Sequence, residues 1–275
     1  METDGGALDI EIRLLLDAIH ARYGYDLRDY APASLNRRVL AALAKSGLGH
    51  LGELQHRVLR DPEFFARVLD DLTVNVTGMF RDPAFYRAFR ARVVPVLRTY
   101  PLLRVWHCGC STGEEVYADA IVLCEEGLFD RTQIYATDVS PGAVDQAKQG
   151  VYSAEHLAAF TDNYEKAGGT SHLADYYTAG YEGIAMRDSL RKKILFFQHN
   201  LVSDHTFGEM QVIFCRNVLI YFGRELKERV LRKLRESLCP GGFLCVGSGE
   251  RIARARDEHS LVDFAYDERI YRHEA

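Results

Sequence analysis

The chain has 275 residues, 47% of them hydrophobic and 27% charged, and a net charge of −5. That length suits one large α/β domain with a small accessory domain, and the composition excludes disordered and fibrous classes. The acidic balance speaks against nucleic acid as the main partner, because phosphate binding shows as a basic domain.

At the N-terminus, METDGGALDIEIRLLLDAIHARYGY places acidic residues where an export signal needs positive charge, and Glu11, Arg13 and Asp17 break its apolar positions. No apolar stretch approaches the roughly 18 to 20 residues that span a bilayer. A cytoplasmic protein without membrane insertion is therefore expected. The cysteines Cys108, Cys110, Cys124, Cys215, Cys239 and Cys245 form no C-x-x-C pair and mostly sit in or beside apolar runs. Reduced, largely buried thiols and no metal site are expected.

From Leu8 to about Leu72 apolar residues recur at three- and four-residue steps, as in Leu8, Ile12, Leu15, Leu16 and Ile19, then Leu35, Val39, Leu40 and Leu43. Four short helices are predicted, forming an all-α domain over residues 1–72, with Asp61 as an N-cap before Pro62. Between His20 and Arg60 seven Lys or Arg, including Arg37 and Arg38, face three acids. On charge alone, an acidic partner and a plainly solvated helix surface fit equally well.

Residues 73–81 (TVNVTGMFR) break the helical pattern and read as a linker unusually rich in hydrogen-bonding side chains, before Asp82 and Pro83 open another helix. Strands then alternate with helices: LRVWHC, a helix over 114–126, QIYAT, and a helix over about 141–149. This alternation predicts parallel strands with crossover helices. Further strands are predicted at 194–198, 212–215 and 243–247. An amphipathic helix over 224–238 is expected to end in Cys239-Pro240-Gly241-Gly242, and two strand-like pieces follow at 261–266 and 268–271. Between Tyr152 and Lys193 the pattern weakens around Gly168, Gly169, Gly180 and Gly183, which suits a small antiparallel insertion at about 165–193 within a second domain covering 73–275.

The chemistry concentrates where LRVWHC runs into Gly109-Cys110-Ser111-Thr112-Gly113 and a helix. Glycines at a strand end let backbone approach a ligand closely, and the helix start offers free N–H groups. Glu114 and Glu115 at that start argue against an anion and for a cationic ligand. S-adenosylmethionine, with its ammonium and sulfonium, is such a ligand. Asp138, closing the next strand, suits the two ribose hydroxyls of an adenosine, and Ser140 beside Pro141 serves at least as well as the following helix cap. Ser111 also sits in a G-x-S-x-G elbow, but the hundred residues before it look helical and offer no established sheet, so a serine hydrolase is set aside.

Six runs then carry a resemblance across essentially the whole chain: TVNVTGMFRDPAFY (73–86), WHCGCSTGEEVYADAI (106–121), YATDVSPGAVDQAKQGVY (135–152), FQHNL (197–201), IFCRNVLIYF (213–222) and LCPGGFLCVGSGE (238–250). In this order they resemble the CheR-type chemoreceptor glutamate O-methyltransferases. The resemblance implies an α/β fold: a class I methyltransferase (Rossmann-like) sheet, a small antiparallel β-subdomain insertion and an N-terminal all-α domain. It implies that S-adenosylmethionine contacts Asn75, Thr77, Arg81, Glu115, Asp138, Asn200, Leu201, Arg216 and Asn217, beside the loop residues Gly109, Ser111 and Gly113. By themselves Asn75 and Thr77 read as turn formers, Arg81 as a solvated arginine, Asn200 as a strand cap and Tyr221 as a core aromatic.

By the same resemblance Tyr221 lies near the reactive methyl, Arg81 is a candidate clamp on the acceptor, and the acceptor is a glutamate on the acidic cytoplasmic helical bundle of a chemoreceptor. Arg37 and Arg38 then become candidate partner contacts. The short turn from Thr178 to Gly183 implies independence from a receptor C-terminal tethering peptide. Nothing in the sequence requires more than a monomer. The sequence departs from the family pattern at Val116, at Ala118 and in Gly247-Ser248-Gly249-Glu250, where the Ser248 change bears on acceptor specificity. A catalytically silent S-adenosylmethionine-binding adaptor and a small-molecule methyltransferase are the alternatives.

Overall fold

Four helices open the chain, and their ends follow local chemistry. In the computed structural model, which describes residues 4–73, 77–180, 183–252 and 261–274, they are α1 (Asp4–Tyr23), α2 (Pro32–Ser46), α3 (Leu51–Arg60) and α4 (Pro62–Leu72). Asp61 Oδ1 accepts from the Phe64 N–H at 2.9 Å, and Pro62 occupies the first turn, where its missing N–H costs nothing. Leu15, Ile19, Val39, Leu54, Val58 and Leu69 pack into one core between these helices. Each such burial stabilises the domain by about 1.5–3 kcal/mol.

Two short helices, α5 (Pro83–Ala88) and α6 (Val94–Leu97), are joined by a π-helical turn and lead into the sheet. There follow β1 (Leu103–Cys108), α7 (Glu114–Glu125), β2 (Thr132–Asp138), α8 (Pro141–Gln149), β3 (Val151–Tyr152) and α9 (Leu157–Lys166). Next come β4 (Tyr177–Ala179), β5 (Ile184–Met186), α10 (Asp188–Arg191), β6 (Ile194–Gln198) and β7 (Met210–Cys215). The chain continues through α11 (Arg224–Ser237), β8 (Leu238–Val246), β9 (Leu261–Ala265) and β10 (Ile270–His273).

Among the described residues a seven-stranded sheet runs β6-β2-β1-β7-β8-β10-β9. Its first five strands are parallel, and β10 pairs antiparallel with both β8 and β9. Both faces of β1 are covered: Val105 joins Val116 and Ile121 in one core, and Trp106 joins Leu226, Val230 and Leu234 of α11 in another. Burial on both faces is why LRVWHC reads as a nearly continuous apolar run. From β1 the chain first builds outward through β2 to β6, then returns to lay β7 on the other side of β1. The strand order therefore reverses between β1 and β7, the position where doubly wound sheets open a crevice beyond the strands' carboxyl ends.

The structure differs from expectation in two places. Cys239-Pro240-Gly241-Gly242 does not cap α11. Strand β8 begins directly at Leu238, and the register shifts opposite, between Met210 and Val212. Gly241 has φ 79°, a conformation that a helix end and a strand irregularity both demand of glycine, so the tetrapeptide by itself does not tell them apart. The inserted subdomain is a three-stranded antiparallel sheet, β3-β5-β4, that begins at Val151, upstream of the expected position, and carries the unforeseen helix α9, anchored by Phe160 and Tyr164 one turn apart. Within the expected short turn, Tyr181 and Glu182 lie outside the described residues. No described helix is long and apolar enough to cross a membrane. All six cysteines are free, four of them buried.

Candidate functional site

The loops after β1, β2, β6 and β7 converge on two adjoining cavities that share Gly109, Asn217 and Tyr221. The outer one, of about 90 Å³, is bounded by Asp138, Asn200, Leu201 and Tyr221, among others. The inner one, about 40 Å³, is bounded by Thr77, Arg81, Ser111, Glu115, Arg216 and Tyr221. Side chains from segments far apart in the chain, between Tyr30 and Phe222, thus meet at the crevice. Of the expected residues, Asn75 lies outside the described ones.

Gly109 owes its identity to this crossing. Its φ is 68°, and a Cβ there would stand 2.6 Å from Val218 Cγ2, so only glycine lets the β1 and β7 loops approach. Asp138 is organised by backbone: its carboxylate accepts from Ser111 N–H at 2.8 Å and from Ser140 N–H at 2.9 Å. Burial raises its pKa, with the backbone donors opposing. The helix cap is Ser140, whose Oγ accepts from Ala143 N–H, leaving Asp138 to the cavity edge. Gly113 turns out to face away from both cavities. With φ 92°, its missing Cβ admits Ala147 of α8 at 2.9 Å, so it serves helix packing.

The two glutamates at the start of α7 part company. Glu114 accepts from Thr112 Oγ1 at 2.6 Å, and burial raises its pKa. Only Glu115 borders the cavity, and Arg216 meets it at 2.6 Å while also reaching Asp82 at 2.9 Å. Much of the negative field expected at this helix start is therefore already balanced by a buried guanidinium, which also stacks over Phe85 at 4.1 Å. Behind it His107 and Asp119 are buried 3.7 Å apart, and burial followed by the charge of Arg216 pushes His107 down to about 3. His107, Glu115 and Asp119 bring donor atoms within 4.8 Å of one another, but Arg216 supplies the countercharge a cation would provide.

The loop after β6 brings Asn200 and Leu201 to the outer cavity. Asn200 does cap its own turn, since its Oδ1 accepts from Val202 N–H at 3.0 Å while its backbone N–H reaches Asp204 at 2.8 Å. Lys233 of α11 ties the loop down by donating to the carbonyls of Val202 and Asp204 at 2.8 and 2.9 Å. After β7, Asn217 takes the left-handed conformation with φ 60°, and Tyr221 lies half-buried between the cavities.

The helical domain contributes to the site directly, a feature the sequence did not disclose. Ala31 N–H donates to the Tyr221 carbonyl at 2.9 Å, and Gly223 N–H donates to the Asp29 carbonyl at 2.8 Å, so the α1–α2 connection pairs with the loop after β7. Tyr30 and Arg38 consequently bound the outer cavity. Here the sequence pairing of Arg37 with Arg38 is corrected. Arg37 is exposed, whereas Arg38 is 7% exposed, donates to the Leu72 carbonyl at 2.8 Å and lies over the Tyr221 ring at 4.3 Å. Adjacent positions on α2 differ by about 100° around the axis, which turns one side chain out and the other in. His199 and Phe222, also on the outer cavity, fall inside motifs already singled out and were overlooked as individual residues. Tyr30 had no local signal at all.

Known proteins agree with this architecture. Residues 10–73 match the all-alpha domain of CheR methyltransferases, and residues 75–266 match the CheR methyltransferase SAM binding domain. The chain is 48% identical over 264 residues to Cher3 of Pseudomonas putida, covering 96% of this chain and 97% of that one. It is 29% identical over 266 residues to the chemotaxis protein methyltransferase of Vibrio anguillarum, with 92% and 94% covered. Likewise it is 29% identical over 244 residues to the chemotaxis protein methyltransferase Cher2 of Pseudomonas putida, with 83% and 85% covered.

Proposed function

The chain belongs to the CheR methyltransferase family, and from that premise we propose that it methylates glutamate side chains on the cytoplasmic helical bundle of a chemoreceptor, forming methyl esters. The observation that carries the reading is the convergence of Asp138, Gly109, Asn217 and Tyr221 on one crevice.

The residues present fit S-adenosylmethionine. Gly109 leaves the close approach that a side chain would fill, and Asp138, already oriented by two backbone donors, would accept the ribose hydroxyls. Asn200 and Leu201 would flank the base, while Thr77, Glu115, Asn217 and the Ser111 loop would hold the methionine end in the inner cavity. When bound, S-adenosylmethionine supplies an electrophilic methyl on a sulfonium.

A glutamate with a pKa of about 4.3 is ionised at neutral pH, so no residue has to act as general base. The protein's part is alignment and exclusion of water, and alignment is worth up to roughly 7–11 kcal/mol. Tyr221, held by its carbonyl to Ala31 and by its ring to Arg38, would orient the attacking oxygen. Arg81, on the inner cavity, would clamp the acceptor carboxylate. Exposed Arg37 offers a charge to an acidic bundle.

Independence from a tethering peptide belongs to the same proposal. The Gly180 N–H donates to the Gly183 carbonyl at 2.7 Å, which closes the β4–β5 connection within four residues and supports this reading. The deciding experiment incubates the protein with labelled S-adenosylmethionine and a receptor cytoplasmic domain. Label on the receptor that is released by mild base is expected, as from an ester; base-stable label, or label only on small molecules, refutes the assignment. Tight calorimetric binding of a receptor C-terminal peptide refutes the tether-independent part alone.

A further inference from the structure

The motif Gly247-Ser248-Gly249-Glu250 follows β8 and has no part in the site as described so far. Glu250 is 1% exposed. Its N–H donates to the Gly247 carbonyl at 2.8 Å, a turn that folds the side chain back toward the sheet. There one oxygen accepts from Asn217 N–H at 2.8 Å and from Gly247 N–H, and the other accepts from Ile220 N–H at 3.1 Å. Among the described residues no cation pairs with this carboxylate; its partners are three backbone amides.

Two of those amides, on Asn217 and Ile220, belong to the loop that forms the wall between the two cavities. Asn217, bordering both, holds a left-handed backbone, which asparagine tolerates better than most residues with a Cβ and which the Glu250 carboxylate fixes through the Asn217 N–H. Ile220 immediately precedes Tyr221. Gly247 completes the fit, since a Cβ on it would stand 2.7 Å from Asn217 Nδ2 and 2.9 Å from Asn217 N. One buried carboxylate therefore grips both ends of the turn over residues 217–220, while a glycine clears space for it.

We infer that Glu250 is a positioning residue: it sets the backbone of Asn217 and Tyr221 so that the cofactor wall and the acceptor-side tyrosine are presented together. This rests on reading the cavities as the cofactor site, and is independent of what the acceptor is. A glutamine keeps one acceptor oxygen and turns an amide donor toward the other N–H groups, so Glu250→Gln should retain part of the grip. Alanine retains none.

The test compares the full-length protein with Glu250→Ala, Glu250→Gln and Thr132→Val. The last removes a buried hydroxyl that donates to the Leu128 carbonyl at the far end of β2. S-adenosylhomocysteine affinity is read by calorimetry, and kcat and KM with the receptor domain, below the melting temperature of each variant. Glu250→Ala should weaken S-adenosylhomocysteine at least tenfold and lower kcat at least tenfold. Glu250→Gln should fall between it and the parent, and Thr132→Val should stay within twofold. Should the alanine variant fail to fold, glutamine decides. A folded Glu250→Ala or Glu250→Gln with parental affinity and kcat overturns the inference, as does a comparable loss in Thr132→Val. Calorimetry needs no acceptor, so a parent that binds S-adenosylhomocysteine but methylates no receptor counts against the proposed function alone.

Discussion

Replacing Arg38 and Arg37 separately by methionine divides two roles that look alike on a charge map. Arg38 stacks on Tyr221 at 4.3 Å and donates to Leu72 at 2.8 Å from a buried position. A cation–π contact of this kind is worth about 0.5–2 kcal/mol. If it steadies Tyr221 at the cavity wall, its loss weakens S-adenosylhomocysteine by roughly two- to thirtyfold, at 1.4 kcal/mol per factor of ten. The stranded Leu72 carbonyl adds about 1–3 kcal/mol of instability. For a domain of this size that lowers the melting midpoint by roughly 2–4 °C per kcal/mol. Methionine keeps much of the apolar stem, so the change reports the guanidinium and not a hole. Arg37→Met, on the exposed face, should leave both quantities unchanged and raise only the KM for receptor. Calorimetry, a thermal melt and receptor titration read all three. Parental cofactor affinity and melting in Arg38→Met, with a defect confined to receptor KM, would show that the stacked geometry is irrelevant and restore the surface role.

Under the proposed function, Asp138 should make cofactor affinity pH-dependent. Burial raises its pKa, so the folded chain holds this proton more tightly than the unfolded chain does. Its contribution favours folding below the ordinary value of 3.8 and is lost as pH rises through the folded value. Ionised Asp138 is the form that accepts ribose hydroxyls, so affinity should begin to fall on acidification while the pH is still above 3.8; Asp138→Asn should bind weakly with that dependence gone, and an unaltered pH profile in this variant would reject the role. Gly109→Ala forces a Cβ to 2.6 Å from Val218 in a left-handed backbone, so binding and stability should both drop by about 1–3 kcal/mol. Val218→Ala should recover only part, because the φ strain remains; full recovery in melting and calorimetry would contradict the strain component. Glu115→Gln leaves Arg216 with Asp82 as its remaining carboxylate partner, and breaking a buried pair costs about 3–5 kcal/mol. In a thermal double-mutant cycle, Glu115→Gln with Arg216→Met should cost clearly less than the two single changes together; strict additivity would mean that the pair is uncoupled.

The parts of this fold that the sequence announces are those governed by neighbours along the chain. Asp61 before Pro62 and Ser140 before Pro141 state where helices start, and both side chains accept the expected amide. The run from Leu103 to Cys108 declares a strand covered on both faces, and Gly109 marks a close approach without saying to what. Where two backbone geometries ask for the same residue, local reading fails: Gly241 fits a helix end as well as the strand irregularity it occupies. Charge fails for a related reason. Glu115 advertises a cationic ligand until Arg216, 101 positions away, is found beside it, and Arg38 advertises an acidic partner until Tyr221 is found beneath it. A charged side chain states only that it must be solvated or paired; which of the two holds depends on contacts between distant segments. The walls of this crevice come from such contacts, with Ala31 held to Tyr221 and Glu250 to Asn217. Family motifs bring in Asn217, Tyr221 and Glu250 because they register the segments that must meet, yet they overlook Tyr30, Ala31 and Arg38. Tyr30 and Arg38 reach the cavity through the backbone pairing between the α1–α2 connection and the loop after β7, and their side-chain chemistry by itself gives no hint of it.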